Sequence, residues 1–154
     1  KNGARIRGGA PFAGKRMKVV TIQEVEYIAH RLAQELMAWD EPIPDFSTRF
    51  PNILESCLSV PFQSFSGKSA YKGLVAKASI LFYLMIKNHP FQNGNKRIAV
   101  TTLLFFLYKN KKWLRLDNQE LYNFAVWVAQ SPPRVKEATA QATQKFITVY
   151  LRNI

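Results

Sequence analysis

His89-Pro90-Phe91-Gln92-Asn93-Gly94-Asn95-Lys96-Arg97 joins two long apolar runs, Leu74 to Ile86 before it and Ile98 to Tyr108 after it. Both runs are apolar nearly all round, which is the pattern of helices buried on every side. Pro90 crowds the backbone of the residue before it, so helical geometry is disfavoured at His89 and the first helix should end there. Asn93-Gly94 is a turn signal, and the second helix should start near Asn95. The first N–H groups of a helix have no partner within it, so here they point back toward His89 and suit an anion, phosphate above all. Lys96 and Arg97 add positive charge at that mouth, and a guanidinium can grip phosphate through two hydrogen bonds. Cations at a helix start oppose the helix dipole, and a bound phosphate would reverse that penalty. The stretch therefore combines a candidate base, His89, with a candidate phosphate site, Gly94, Asn95, Lys96 and Arg97. An imidazole in this place can take a proton from a target hydroxyl. Phe91 reads as an anchor for the loop.

The stretch resembles the signature of the Fic/Doc family. The Fic form runs His-Pro-Phe-x-(Asp/Glu)-Gly-Asn-Gly-(Arg/Lys)-x-x-Arg, and His89, Pro90, Phe91, Gly94 and Asn95 match it. Lys96 stands at the second glycine and Val100 at the final arginine. Both departures move the chain toward the Doc (death-on-curing) branch, whose form is His-x-Phe-x-Asp-(Ala/Gly)-Asn-Lys-Arg. Asn93 stands where both branches usually carry an acid. Outside the motif the resemblance extends more weakly over Thr21 to Ile154.

The resemblance implies an all-α fold, a helical bundle around a buried central helix pair with a short β-hairpin flap. It implies that His89 takes the proton of a target protein's serine, threonine or tyrosine hydroxyl as the nucleotide phosphorus is attacked. ATP is the implied donor and Mg²⁺ the implied cofactor, with residue 93 at the place of its protein ligand. Asn93 offers a carbonyl oxygen without charge, so magnesium would be held through phosphates and water. Fic-type proteins transfer AMP, whereas Doc-type proteins hold the nucleotide the other way round and transfer the terminal phosphate. Lys96 narrows the nest and Val100 removes a second arginine grip, so phosphoryl transfer is the favoured reading. AMP transfer is the alternative. The non-enzyme alternative is a nucleotide- or protein-binding module that lost catalysis through Asn93. Many Fic proteins carry an inhibitory helix with (Ser/Thr)-x-x-x-Glu-(Gly/Asn). No such segment is found, so a toxin of this kind would need an antitoxin supplied in trans or a missing part of its own chain.

The 154 residues, 47% of them hydrophobic, are enough for one domain with a good core. Cys57 is the single cysteine, so no internal disulfide framework exists and a cytoplasmic setting is the simple reading. No secretory signal or membrane span is found, and Ile98 to Tyr108 is too short to cross a bilayer. The net charge of +12 suits a nucleotide, an acidic protein or another polyanion, and equally well serves solubility. Residues 1–18 are basic and rich in glycine, and read as a tail or linker, with a nucleic-acid-binding arm as a minor option. Residues 19–154 read as one helical domain.

Along that domain, Thr21 and Glu24 form a capping box for a helix through Val25, Ile28, Ala29, Leu32, Leu36 and Trp39. His30 reads as a helix-surface histidine without a catalytic role. Residues 41–45 break the helix, and Pro51 opens a short one to Leu58. Ser59 to Ser69 reads as a hairpin or extended flap. Pro61 would sit on an edge strand, and Val60, Phe62, Gln63, Ser64 and Phe65 would receive target backbone by strand addition. Ser66 or Ser69 would cap the central helix. Trp113 to Leu116 reads as an extended link, Gln119 to Gln130 as a helix capped by Asp117 or Asn118, and Val135 to Leu151 as the last helix.

Overall fold

The computed structural model describes residues 17–37 and 42–154. The expectations for residues 1–16 and for Trp39 fall outside the described residues. Met17 and Lys18, placed in the tail by their sequence, are docked. Met17 packs against the core, and Lys18 exchanges two hydrogen bonds with the Asn110 amide, at 2.8 and 3.0 Å.

Among the described residues, six helices make up the bundle. Helix α1 spans residues 22–35 and includes a wide, π-type turn at Val25–Ala29, where the His30 N–H reaches back to the Val25 carbonyl. Its capping box is complete: the Thr21 hydroxyl accepts the Glu24 N–H at 3.1 Å and the Glu24 carboxylate accepts the Thr21 N–H at 2.9 Å. Helix α2 is Pro51–Ser59, with its proline at the first position, where no N–H is needed. Helices α3 (Gly73–Lys87) and α4 (Asn95–Lys109) are the buried central pair. Both are buried nearly all round; every residue from Ile80 to Ile86 and from Ile98 to Leu104 is buried. Helices α5 (Asn118–Gln130) and α6 (Lys136–Tyr150) cover α3, while α1 and α5 flank α4. Asp117 caps α5 by accepting the Gln119 N–H at 2.9 Å. Lys87 closes the far end of α5 by donating to the Ala129 and Ser131 carbonyls. Among the described residues no helix is long and apolar enough to cross a membrane. The architecture is the expected all-α bundle.

Several local expectations need correction. Helix α1 ends at Glu35, and Leu36 is extended, with φ −90° and ψ 150°. No serine caps α3. Its flanking residue is Lys72, Gly73 has φ +86°, and the Lys77 amine, not a hydroxyl, ties back to the Tyr71 carbonyl. Burial draws the Lys77 amine below its ordinary pKa. The flap is shorter than its sequence suggests. Strands β1 (Ser64–Phe65) and β2 (Lys68–Ser69) pair antiparallel through a Ser66-Gly67 turn with both φ positive, at 53° and 77°. Val60–Phe62, read as part of the extended flap, is instead a 3₁₀ turn running on from α2. Proline's fixed φ suits that turn, and the apolar side chains gain burial there: Pro61 is buried and Phe62 stacks edge-on to Phe106 at 5.7 Å. Val60 and Phe62 therefore belong to the core side of the flap. Beyond α4, β3 (Lys112–Leu114) pairs with β4 (Leu151–Asn153). The last helix ends one residue earlier than expected, at Tyr150, and the chain leaves it as that strand.

Candidate active site

The loop between α3 and α4 is held from four directions. Helix α3 ends at Lys87 and Asn88. His89 then takes a left-handed backbone, φ +52°, which an L-residue adopts only where its surroundings enforce it. One constraint is the Phe50 N–H, at the threshold of α2, which donates to the Pro90 carbonyl at 2.9 Å. A second is Phe91, 3% exposed, whose ring lies 5.9 Å from both His30 and Phe46. A third is Asn95, whose Oδ1 accepts the Phe91 N–H at 3.0 Å while its Nδ2 donates to the Phe91 carbonyl at 2.8 Å. The fourth is Gly94, which has φ +77° and sits directly before the first residue of α4. A Cβ on Gly94 would also collide with Ile43, so glycine is required here on two counts.

His30 is not the surface residue its helical position suggests. It is buried, its Nε2 donates to the Pro44 carbonyl at 3.0 Å, and its ring packs edge-on to Phe46. It is a structural tie joining α1, the segment after it and the motif loop. Apolar periodicity could not reveal this, because the partners come from distant parts of the chain.

The predicted site residues divide into three groups. His89 is exposed at the loop surface, with its Nδ1 3.4 Å from Asn95 Nδ2. Lys96 is half-buried in the first turn of α4, whose first intrahelical bond runs from the Ile98 N–H to the Gly94 carbonyl at 3.0 Å. Asn93 turns its Oδ1 onto the Gly94 N–H at 2.9 Å. These three lie in the loop and the first turn of α4, beside the buried Gly94 and Asn95. Arg97 is set apart from them. It is 2% exposed and its Nη1 lies 3.5 Å from the carbonyl of Met37, two residues past the end of α1. Its position one turn into a helix packed on α1 sends the side chain into the bundle. Val100, at the position of the Fic form's final arginine, is also fully buried. The third group is the flap, where Gln63, Ser64 and Phe65 are all exposed and Phe65 keeps 66% of its surface open.

Asn93 holds the position that the family resemblance gives to the metal ligand, and among the described residues no three His, Cys, Asp or Glu side chains come together. A neutral amide oxygen already engaged by a backbone N–H does not make a protein cage for Mg²⁺, which favours charged oxygens in octahedral array. The Cys57 thiol is no nucleophile. It is buried, donates to the Leu84 carbonyl at 3.4 Å, and burial pushes its pKa up to about 12.

A family profile described as the Fic/DOC family matches residues 19–107, more than half of the chain, from the start of the bundle through most of α4. No curated protein and no solved structure matches the chain. The profile covers the flap, the His89 loop and the helix start that the structure assembles around it, and the chain belongs to the Fic/DOC family, whose members are typically transferases acting between a nucleotide and a protein.

Proposed function

We propose that this protein moves the terminal phosphate of ATP to a hydroxyl of a target protein, in the manner of the Doc branch. The observation that carries the reading is the juxtaposition of an exposed His89 with the start of α4, where Gly94, Asn95 and Lys96 lie within the same loop. In this reading His89 takes the proton of the target hydroxyl. The N–H groups at the helix start and the Lys96 ammonium receive the phosphates. Arg97 contributes from beneath, as a buried positive charge under the loop. Lys96 in place of a glycine and Val100 in place of an arginine support phosphate transfer over AMP transfer. The exposed pair Ser64 and Phe65 supports target docking: an open strand edge offers backbone groups to an extended segment, and Phe65 offers an apolar contact. Any Mg²⁺ would arrive coordinated to the nucleotide's phosphates. An antitoxin acting in trans belongs to the same proposal.

A binding module without catalysis is the second reading. The observation favouring it is Asn93 itself, an uncharged residue whose oxygen occupies the Gly94 N–H that an incoming anion would use. Mass spectrometry of candidate target proteins after incubation with ATP separates the readings. A mass increase of one phosphate supports the proposal, an increase of one AMP supports the Fic-type alternative, and no modification with retained nucleotide binding supports the module.

A further inference from the structure

Asn95 does more than brace the loop. Its Oδ1 meets an N–H and its Nδ2 meets a carbonyl, both on Phe91, at 3.0 and 2.8 Å. Turning the amide over would set donor against donor and acceptor against acceptor, so its orientation is fixed. One Nδ2 hydrogen is spent on Phe91. His89 Nδ1 lies 3.4 Å from the same nitrogen, within reach of the other hydrogen. An amide NH₂ has no lone pair to offer, and a neutral imidazole carries its single ring proton on one nitrogen only.

We infer that Asn95 selects the tautomer of His89, keeping the ring proton on Nε2 and holding the resting histidine as a hydrogen-bond donor. The inference rests on the reading of His89 as the base and deepens it. As a base, His89 takes the hydroxyl proton onto a ring lone pair. The hydroxyl oxygen bonds to phosphorus, and the bond from phosphorus to the nucleotide's leaving oxygen breaks. In the resting ring the only lone pair is on Nδ1, facing Asn95. His89 therefore leaves Asn95, or turns its ring over, before it acts on a target. Until then it presents Nε2–H, which suits a phosphate oxygen. The left-handed backbone of His89, φ +52°, marks the same loop as one held under constraint. Asn95 is thus a positioning residue that separates a phosphate-receiving state from a proton-accepting one.

Long-range ¹H–¹⁵N spectra of the full chain, taken where both imidazoles are neutral, test this directly. Wild-type His89 should be wholly in the Nε2–H form. Free imidazole leans the same way, so Asn95→Asp is the sharper arm. A carboxylate keeps the Phe91 N–H bond but can only accept from the ring, so it should move the His89 proton to Nδ1. His30, held as Nε2–H by the Pro44 carbonyl, reports an intact fold in every sample. A wild-type His89 in the Nδ1–H form overturns the inference, as does an Asn95→Asp spectrum with His89 unchanged and His30 native. If Asn95→Asp fails to fold, Asn95→Ala should turn the single tautomer into a mixture, and an unchanged tautomer there also overturns it. Transfer rates on the same proteins keep the two ideas apart. A switched tautomer with an unchanged rate would remove His89 as the base and leave the Asn95 inference standing.

Discussion

Ile43 closes over the Cα of Gly94: a Cβ built on that glycine would stand 2.8 Å from Ile43 Cγ1. Gly94 also holds a left-handed backbone, φ +77°. Gly94→Ala should therefore lower the unfolding free energy by about 1–2 kcal/mol from the backbone alone, with a further loss from the contact. Adding Ile43→Ala, which removes Cγ1 and Cδ1, should relieve only the second part when the double variant is compared with Ile43→Ala alone. Denaturant unfolding of the single and double variants measures both contributions, and a Gly94→Ala protein as stable as wild type would contradict the described loop.

His89→Ala should abolish transfer and leave stability within about 0.5 kcal/mol of wild type, because the side chain is exposed. A transfer assay and a thermal melt on the same preparation decide it. Transfer at the wild-type rate would take His89 out of the mechanism.

Asn93→Asp keeps the acceptor that meets the Gly94 N–H at 2.9 Å and adds one negative charge beside the phosphate site. Without metal the charge repels the nucleotide; with Mg²⁺ it becomes a ligand. Nucleotide affinity should become more dependent on Mg²⁺ than in the parent, and transfer should rise. Calorimetric titrations of both proteins, with and without Mg²⁺, carry the comparison. Identical metal dependence would mean that residue 93 does not face the metal.

The Glu24 carboxylate ties α1 to the end of α4 through Lys109, whose amine lies 2.7 Å from it. Burial alone would raise its pKa, but the hydrogen bonds from Lys109 and Thr21 outweigh that and leave it below the ordinary glutamate value. A carboxylate with a lowered folded-state pKa stabilises the fold at neutral pH, and that stabilisation is lost as pH falls through the folded value. Melting temperature should therefore fall on acidification through and below the ordinary glutamate range. Glu24→Gln should show a shallower fall over the same window, and parallel curves for the two proteins would show that the pair carries no linkage.

The frame of the site was legible from local chemistry. Pro90 stops α3, Gly94 starts α4, and the Thr21 and Glu24 pair caps α1; each acts within a few residues of itself. The corrections come from contacts between distant parts of the chain. Val60–Phe62 coils because Phe106 offers its side chains burial. His30 is buried by Phe46, Phe91 and the Pro44 carbonyl. Arg97 looks like a residue of the loop mouth by position, yet the approach of α1 places the Met37 carbonyl at its guanidinium and leaves it inside. The pairing of β3 with β4 joins segments with two helices between them.

The wide turn at Val25–Ala29 gives α1 one residue more than regular winding would. Each residue of an α-helix advances the face by about 100°, so deleting one there rotates everything on one side of the turn relative to the other. Thr21 and Glu24, whose carboxylate grips Lys109, lie before it; His30 and Ala33, buried against the rest of the bundle, lie after it. The two halves of α1 keep separate appointments with the bundle, and the extra residue is what lets both be met. Point substitutions on its exposed faces should be tolerated far better than any change in the number of residues between Glu24 and His30.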